Sequence, residues 1–290
     1  MRQISAKAKV KDLFKKAGFQ PLKGLGQNFL IDKSVLKKVI GAADLRLKDI
    51  VLEIGPGLGI LTQELARRVK KVIAIEKDQK MVEALKDALE GFKNVKIIQG
   101  DILKISISSY ELQAKNYKLV ANLPYYITSP VIRKFLENDK PPKEIVLMVQ
   151  KEVAQRICAV PPNMSLLAVS VQFYAKAKII SYVSKESFWP RPKVGSAIIK
   201  ISQIRINLPR INTNLFFKIV KTGFSQPRKQ ILNNLSKGLK LDKDLVRYWL
   251  SKNNIQPEQR AETLNINDWI NLTKTHNAEP LPGVDINCDF

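Results

Sequence analysis

The run Ile50-Val51-Leu52-Glu53-Ile54-Gly55-Pro56-Gly57-Leu58-Gly59 joins two kinds of backbone. Its first half is apolar except for Glu53, the pattern of a strand buried on both faces of a parallel sheet. Its second half holds three glycines, which admit left-handed backbone and let another group approach the main chain closely. Helical spacing resumes at Ile60 and runs to about Val69. Strand, glycine turn and helix in that order bring unpaired N–H groups to a place where a ligand can reach them. Nicotinamide-binding folds use a similar glycine run, so the flanking segments have to separate the possibilities. Glu53, an acid inside an apolar strand, is expected to order the glycine loop rather than to react.

Downstream the pattern repeats. Lys71 to Ile75 reads as a second strand with Glu76 at its end, followed by a helix from Gln79 to about Leu89. Val95 to Gln99 is a third strand ending at Gly100-Asp101, and residues 102–116 are helical or irregular. Tyr117 to Ala121 is a fourth, ending at Asn122. A helix over Ser129–Glu137 and a strand over Glu144–Val149 continue the alternation. This predicts an α/β fold, a doubly wound, Rossmann-like sheet with right-handed crossovers. Helices are expected at 151–158 and 166–174, and a closing strand pair at Lys176–Val183 and Ser196–Ile201. Between those strands Phe188-Trp189-Pro190-Arg191-Pro192-Lys193-Val194 is too proline-rich for a strand interior.

Upstream, residues 1–20 are basic and mildly amphipathic. Gly24 to Leu30 is a glycine turn carrying two amides, and Asp32 is placed to cap a helix running to about Ala43. Beyond about Gln203 strand signals vanish. Helical spacing covers Leu215–Thr222, Pro227–Leu235, Leu241–Leu250 and Asn267–Thr273, with Pro227 expected in a first helical turn. The expected organisation is a sheet domain over 1–203, a small all-helical, lysine-rich domain over 204–276 and a disordered tail over 277–290.

The chain has 290 residues and a formal net charge of +23, a field that favours a polyanionic partner. Its two cysteines, Cys158 and Cys288, form no ligand pair, and His276 is the single histidine. Disulfide frameworks, structural zinc and histidine acid–base chemistry are therefore poorly supported, and no metal site is expected. No apolar run approaches the roughly 18 residues of a membrane span, and the N-terminus lacks the apolar core of a secretory signal. A cytoplasmic location is the expectation.

Polar groups at strand ends define the chemistry, since ligands of open α/β sheets bind at the carboxyl ends of the strands. Glu76 stands where a dinucleotide-type fold places an acid for ribose hydroxyls. Asp101 can accept from an adenine amino group. The fourth strand runs into Asn122-Leu123-Pro124-Tyr125-Tyr126. Read alone, this is either a proline turn beside core tyrosines or a site holding the amino group of a flat base, with the Asn122 amide and Pro124 carbonyl as acceptors and a tyrosine ring as platform. The G-x-G-x-G spacing together with Asn-Leu-Pro-Tyr favours S-adenosylmethionine over a nicotinamide cofactor.

These stretches resemble the KsgA/RsmA-type rRNA adenine dimethyltransferases, relatives of the Erm enzymes. The resemblance rests on GQNFL (26–30), VLEIGPGLG (51–59), AIEKD (74–78), GDIL (100–103), ANLPYYITSP (121–130), MVQKEVAQRI (148–157), FWPRPKVGSAI (188–198) and FSQPRKQILNNL (224–235). It departs at Pro227, where the family more usually has a second arginine, leaving Arg228-Lys229 as the basic cluster. The resemblance implies a class I methyltransferase that dimethylates two adjacent adenosines in the 3′-terminal hairpin loop of small-subunit rRNA, working on the pre-small ribosomal subunit, with a monomer as the expected state. Asn28 and Leu30 would close over S-adenosylmethionine; Gly55 would meet its methionine part, Glu76 its ribose and Asp101 its adenine, with Gly57 also among the cofactor-binding residues. Asn122 would border both donor and target. Tyr125 would stack on the flipped adenine and Phe188 would cover its other face, while Asn122 and the Pro124 carbonyl accept from the amino group. Arg191, Lys193, Arg228 and Lys229 are the expected RNA contacts. The rival expectations are an Erm-type enzyme acting on large-subunit rRNA and a non-catalytic assembly or transcription factor on the same fold.

Overall fold

The structure, a computed structural model, describes residues 28–107, 112, 116–205 and 208–278. The basic segment 1–20, the turn up to residue 27 and the tail from residue 279 lie outside these residues.

Seven strands form one sheet. In chain order they are β2 (Ile50–Ile54), β3 (Lys71–Glu76), β4 (Val95–Gln99), β5 (Tyr117–Asn122), β6 (Glu144–Gln150), β7 (Lys176–Val183) and β9 (Ser196–Ser202). Their spatial order is β4-β3-β2-β5-β6-β9-β7. β4, β3, β2, β5 and β6 are parallel neighbours, and β9 and β7 add antiparallel strands at one edge. Nearly every residue of β2, β3, β5 and β6 is buried, because helices cover both faces. On one face α1 (Lys33–Ala42) and α2 (Ile60–Ala66) pack Val39, Leu61 and Leu65 onto Val51, Val72 and Val120. The chain runs outward from β2 to β4 and then returns to β5 beside β2. That reversal opens a crevice at the carboxyl ends of these two strands.

A short ladder stands apart from the sheet. β1 (Phe29–Leu30) pairs antiparallel with β8 (Phe188–Trp189), so the proline-rich stretch does contain a strand, two residues long and ending before Pro190. Asp32 caps α1 as expected, accepting the N–H of Ser34 at 2.8 Å, and its other oxygen accepts from the Ser187 hydroxyl at 3.0 Å. Ile31 N–H donates to the Ser187 carbonyl at 2.9 Å. The cap and the ladder hold each other.

The chain divides into two compact units. The first takes the described residues up to Gln155 and Ala175–Arg205; the second takes Arg156–Tyr174 and the described residues from 208 onward. The sequence pattern placed 151–174 wholly with the sheet. Instead α6 (Leu166–Gln172) belongs to the helical unit, because Phe173 stacks on Phe216 of α7 (Thr213–Gly223) with ring centroids 4.2 Å apart. The next helix, α8, is Ile231–Leu239 rather than 227–235. The Ile231 and Leu232 amides are taken by the carbonyls of Gln259 and Pro257, and Asn234 donates to Gly223 and Gln226, which fixes Pro227 in a turn before the helix. His276 is buried near Trp249 in this unit.

One buried cation ties the amino ends of the sheet. Lys118, 3% exposed in the middle strand β5, donates to the carbonyls of Ala43 and Asp44 and pairs with Asp49 at 3.0 Å and Glu144 at 3.8 Å. Glu144 also pairs with Lys200 at 3.1 Å, so removing Lys118 leaves Asp49 and the Ala43 and Asp44 carbonyls without this donor. Lys118→Ala is expected to lower unfolding free energy by about 1–3 kcal/mol, read from urea denaturation.

Candidate active site

A cavity of about 500 Å³ opens at the crevice between β2 and β5. Asn28, Leu30, Gly55, Gly57, Glu76, Asp101, Asn122, Pro124 and Tyr125 all line it. These residues come from five separate stretches of chain, and the topology of the sheet brings them together.

The glycine loop is held by Glu76, not by Glu53. Glu76, at the carboxyl end of β3, accepts N–H groups from Gly57 at 3.3 Å, Lys77 at 2.8 Å and Asp78 at 3.0 Å. Burial pushes its carboxyl upward and the three amides partly offset this. Gly57 has φ +54°, and a Cβ there would come within 2.9 Å of the Phe29 ring, so the loop backbone and the β1 segment lie against each other only because the side chain is absent. Gly55, at φ +64°, donates its N–H to Ile75 across the β2–β3 pair.

Asp101 follows β4. Its Oδ1 accepts from the Leu103 N–H at 3.0 Å, and its Oδ2 pairs with Lys77 at 3.1 Å. The Leu103 amide and then Lys77 hold this carboxyl below its usual range. Lys77 lines the cavity beside Glu76. The sequence reading passed over it because a lysine after a strand is ordinarily a solvated one. Tyr126, quoted with the stretch that begins at Asn122 but given no role of its own, lines the cavity with more than half its surface exposed.

At the end of β5 the Asn122 side-chain nitrogen donates to the Asn28 carbonyl at 3.1 Å, which leaves Oδ1 as the acceptor. The Pro124 carbonyl already accepts the Ile127 N–H at 3.2 Å, in the 3₁₀ turn Tyr125–Ile127, and keeps a second lone pair. The Tyr125 hydroxyl bonds the Ser196 hydroxyl at 2.8 Å, fixing a half-buried ring whose phenol is raised by burial.

Phe188 departs from the expected arrangement. Its ring is 3% exposed, packs in the core with Leu30 and Val183, and does not line the cavity. The ladder with Leu30 turns it inward. Of the expected RNA contacts, Lys193, Arg228 and Lys229 are exposed, while Arg191 is exposed but paired with Glu186.

The residues fit a methyl donor of the S-adenosylmethionine type: two carboxylates for hydroxyl and amino donors, glycines where its chain must pass, and a buried Glu53 Oε2 with no hydrogen-bond partner at the cavity wall. Burial above all, with the Glu76 charge adding and the Thr62 hydroxyl opposing, raises Glu53 to about 8. A raised acid is protonated when folded, so its ionised form costs stability as pH climbs from the ordinary 4.5 towards 8. Glu53→Gln should therefore melt with wild type below pH 4.5 and above it by a widening margin towards pH 8, a few kcal/mol in order of magnitude, in thermal melts of the ligand-free protein.

Comparison with known proteins agrees with this geometry. The family model for ribosomal RNA adenine dimethylase matches residues 18–277. The ribosomal RNA small subunit methyltransferase A of Dehalococcoides mccartyi is 43% identical over 277 residues, covering 95% of each chain. A dimethyladenosine transferase from Plasmodium falciparum superposes with a TM-score of 0.74 at 29% identity, over 87% of this chain and 98% of that one. The 23S rRNA methyltransferase ErmE gives 0.70 at 25% identity, over 85% and 98%. With a sheet whose strand ends carry Glu76, Asp101 and Asn122 around one cavity, and with similarity running nearly end to end, this chain belongs to the ribosomal RNA adenine dimethylase family of class I methyltransferases.

Proposed function

We propose that this protein dimethylates the N6 amino groups of two adjacent adenosines in the 3′-terminal hairpin loop of small-subunit rRNA, using S-adenosylmethionine, and that it acts in the cytoplasm as a monomer on a precursor of the small ribosomal subunit. The observation that carries the reading is the orientation of Asn122. Its amide nitrogen is spent on the Asn28 carbonyl, so its oxygen stands as an acceptor beside the Pro124 carbonyl in the cavity that Glu76 and Asp101 share. Acting on the small rather than the large subunit is supported by the higher identity to the small-subunit enzyme, 43% against 25% for ErmE.

When bound, S-adenosylmethionine supplies a methyl group already activated by a sulfonium. Glu76 would take the ribose hydroxyls and Asp101 the adenine amino group; Gly55 and Gly57 would let the methionine part lie against the backbone, and Asn28 and Leu30 would close over it. The target adenine, flipped from its stack, would lie on the Tyr125 ring, a contact worth about 1–3 kcal/mol. An exocyclic amino nitrogen is a poor nucleophile because its lone pair is delocalised into the ring. Asn122 Oδ1 and the Pro124 carbonyl would accept its two hydrogens and draw that lone pair out of conjugation, so the protein acts through positioning and fixed dipoles. The amino proton leaves to solvent, and no general base is required. After one transfer, one N–H remains for one acceptor, which permits a second.

Lys193, Arg228 and Lys229 would contact the RNA backbone. Affinity for small-subunit rRNA should fall linearly in log–log against salt, and Arg228→Ala with Lys229→Ala should flatten that slope by about 2. Asn122→Ala is expected to lose about 10²–10³-fold in dimethylation rate. The assay is mass spectrometry of small-subunit and large-subunit rRNA, each isolated from cells lacking the endogenous activity and treated in vitro. Undiminished dimethylation by Asn122→Ala would overturn the mechanism, and methyl incorporation into the large subunit alone would overturn the substrate.

A further inference from the structure

We infer that Lys134 is a positioning residue for the methyl donor, holding in place the turn that carries Asp101. Lys134 lies on α4 (Thr128–Glu137), the helix that continues directly from the Tyr125–Ile127 turn. Its ammonium leaves that helix to donate to the carbonyl of Leu103 at 3.1 Å and to that of Ile105 at 2.7 Å. The same Leu103 presents its N–H to Asp101 Oδ1 at 3.0 Å. Leu103 is thus held on both sides, its carbonyl accepting from Lys134 and its N–H donating to the Asp101 carboxylate. Below it, the amides of Lys104 and Ile105 close the turn onto the Asp101 carbonyl at 2.9 and 3.0 Å. Gly100, Asp101, Ile102 and Leu103 form one wall of the cavity.

Ile102 anchors the start of the turn in the core and the Gly100 N–H donates to the Glu76 carbonyl at 2.8 Å, so Lys134 acts on the Leu103–Ile105 end. Leu103 is exposed, so its side chain gives the segment no anchor in the core. A carboxylate that must meet one amino group at hydrogen-bond distance needs a rigid support, and two charge-assisted bonds from a neighbouring helix provide it. Burial lowers the Lys134 ammonium while Asp101 opposes this, consistent with a cation drawn in from solvent towards the turn. Because α4 also continues from the residues expected to touch the target base, one helix supports the donor side and the acceptor side of the transfer.

The inference rests on the cavity's being the methyl-donor site. Lys134→Met keeps helix propensity and the apolar stem but removes both donated bonds; Lys134→Gln keeps a shorter neutral donor. Wild type and both variants are titrated calorimetrically with S-adenosylhomocysteine and with its inosyl analogue, in which oxygen replaces the adenine amino group, and their ligand-free melting is recorded. Expected are an affinity for S-adenosylhomocysteine about tenfold weaker in Lys134→Met, a smaller loss in Lys134→Gln, and a narrowed preference over the inosyl analogue in both, as hydrogen bonds to charged groups of this kind are lost. Should Lys134→Met not fold, Lys134→Gln decides alone. Wild-type affinity in the variants overturns the proposal. So does an equal loss for both ligands, which assigns Lys134 to stability only. Wild type that binds neither ligand removes the donor-site reading itself and the proposal with it.

Discussion

The Glu76 carboxylate is the contact on which the site depends. One oxygen takes the amides of Lys77 and Asp78, which sets the exit of β3; the other takes the Gly57 amide, which sets the loop after β2. Two neighbouring strand ends are thereby locked to each other through a single buried acid. Burial works against the ionised form and three N–H dipoles work for it, so the group is held in a fixed polar frame rather than a solvated one. The same carboxylate that braces the loop also lines the cavity, where the proposed function would have it meet a ribose. Glu53, one strand over, is buried with an oxygen that has no partner and is held near neutral charge, so the two acids one loop apart do not repel as a pair of anions would.

A second constraint comes from far along the chain. The ladder of Phe29–Leu30 with Phe188–Trp189, stitched by Asp32 and Ser187, delivers Asn28 to the mouth of the cavity. There its carbonyl takes the Asn122 nitrogen and so decides which end of that amide is available. Residues 188 and 189 therefore act on the site through backbone pairing. Phe188, read as a ring for the target base, is spent on the core beneath Leu30. Ser196 completes the arrangement by fixing the Tyr125 hydroxyl.

The alternation of buried strands and helices, the ends of β2, β3, β4 and β5, and Gly55, Gly57, Glu76 and Asp101 at those ends were legible in the chain because each obeys a local rule, whereas Asn28 and Leu30 came from the resemblance alone. A strand buried on both faces reads as an apolar run, a close approach demands glycine, and a strand end in such a sheet faces the ligand crevice. The positive charge likewise pointed to a polyanion before any contact was known.

What only the tertiary structure decided were pairings between residues distant in sequence. Lys118 reads as a flaw in an apolar strand until Asp49, Glu144 and two carbonyls surround it. Lys77 and Lys134 read as solvated lysines until Asp101 and the Leu103–Ile105 carbonyls are brought beside them. The inward turn of Phe188, the later start of α8 and the place of Arg156–Tyr174 in the helical unit have the same origin. A side chain's periodicity is a local property, but its partner is chosen by strand order and by which backbone groups are left unpaired. Those are settled only when the whole sheet closes around the site.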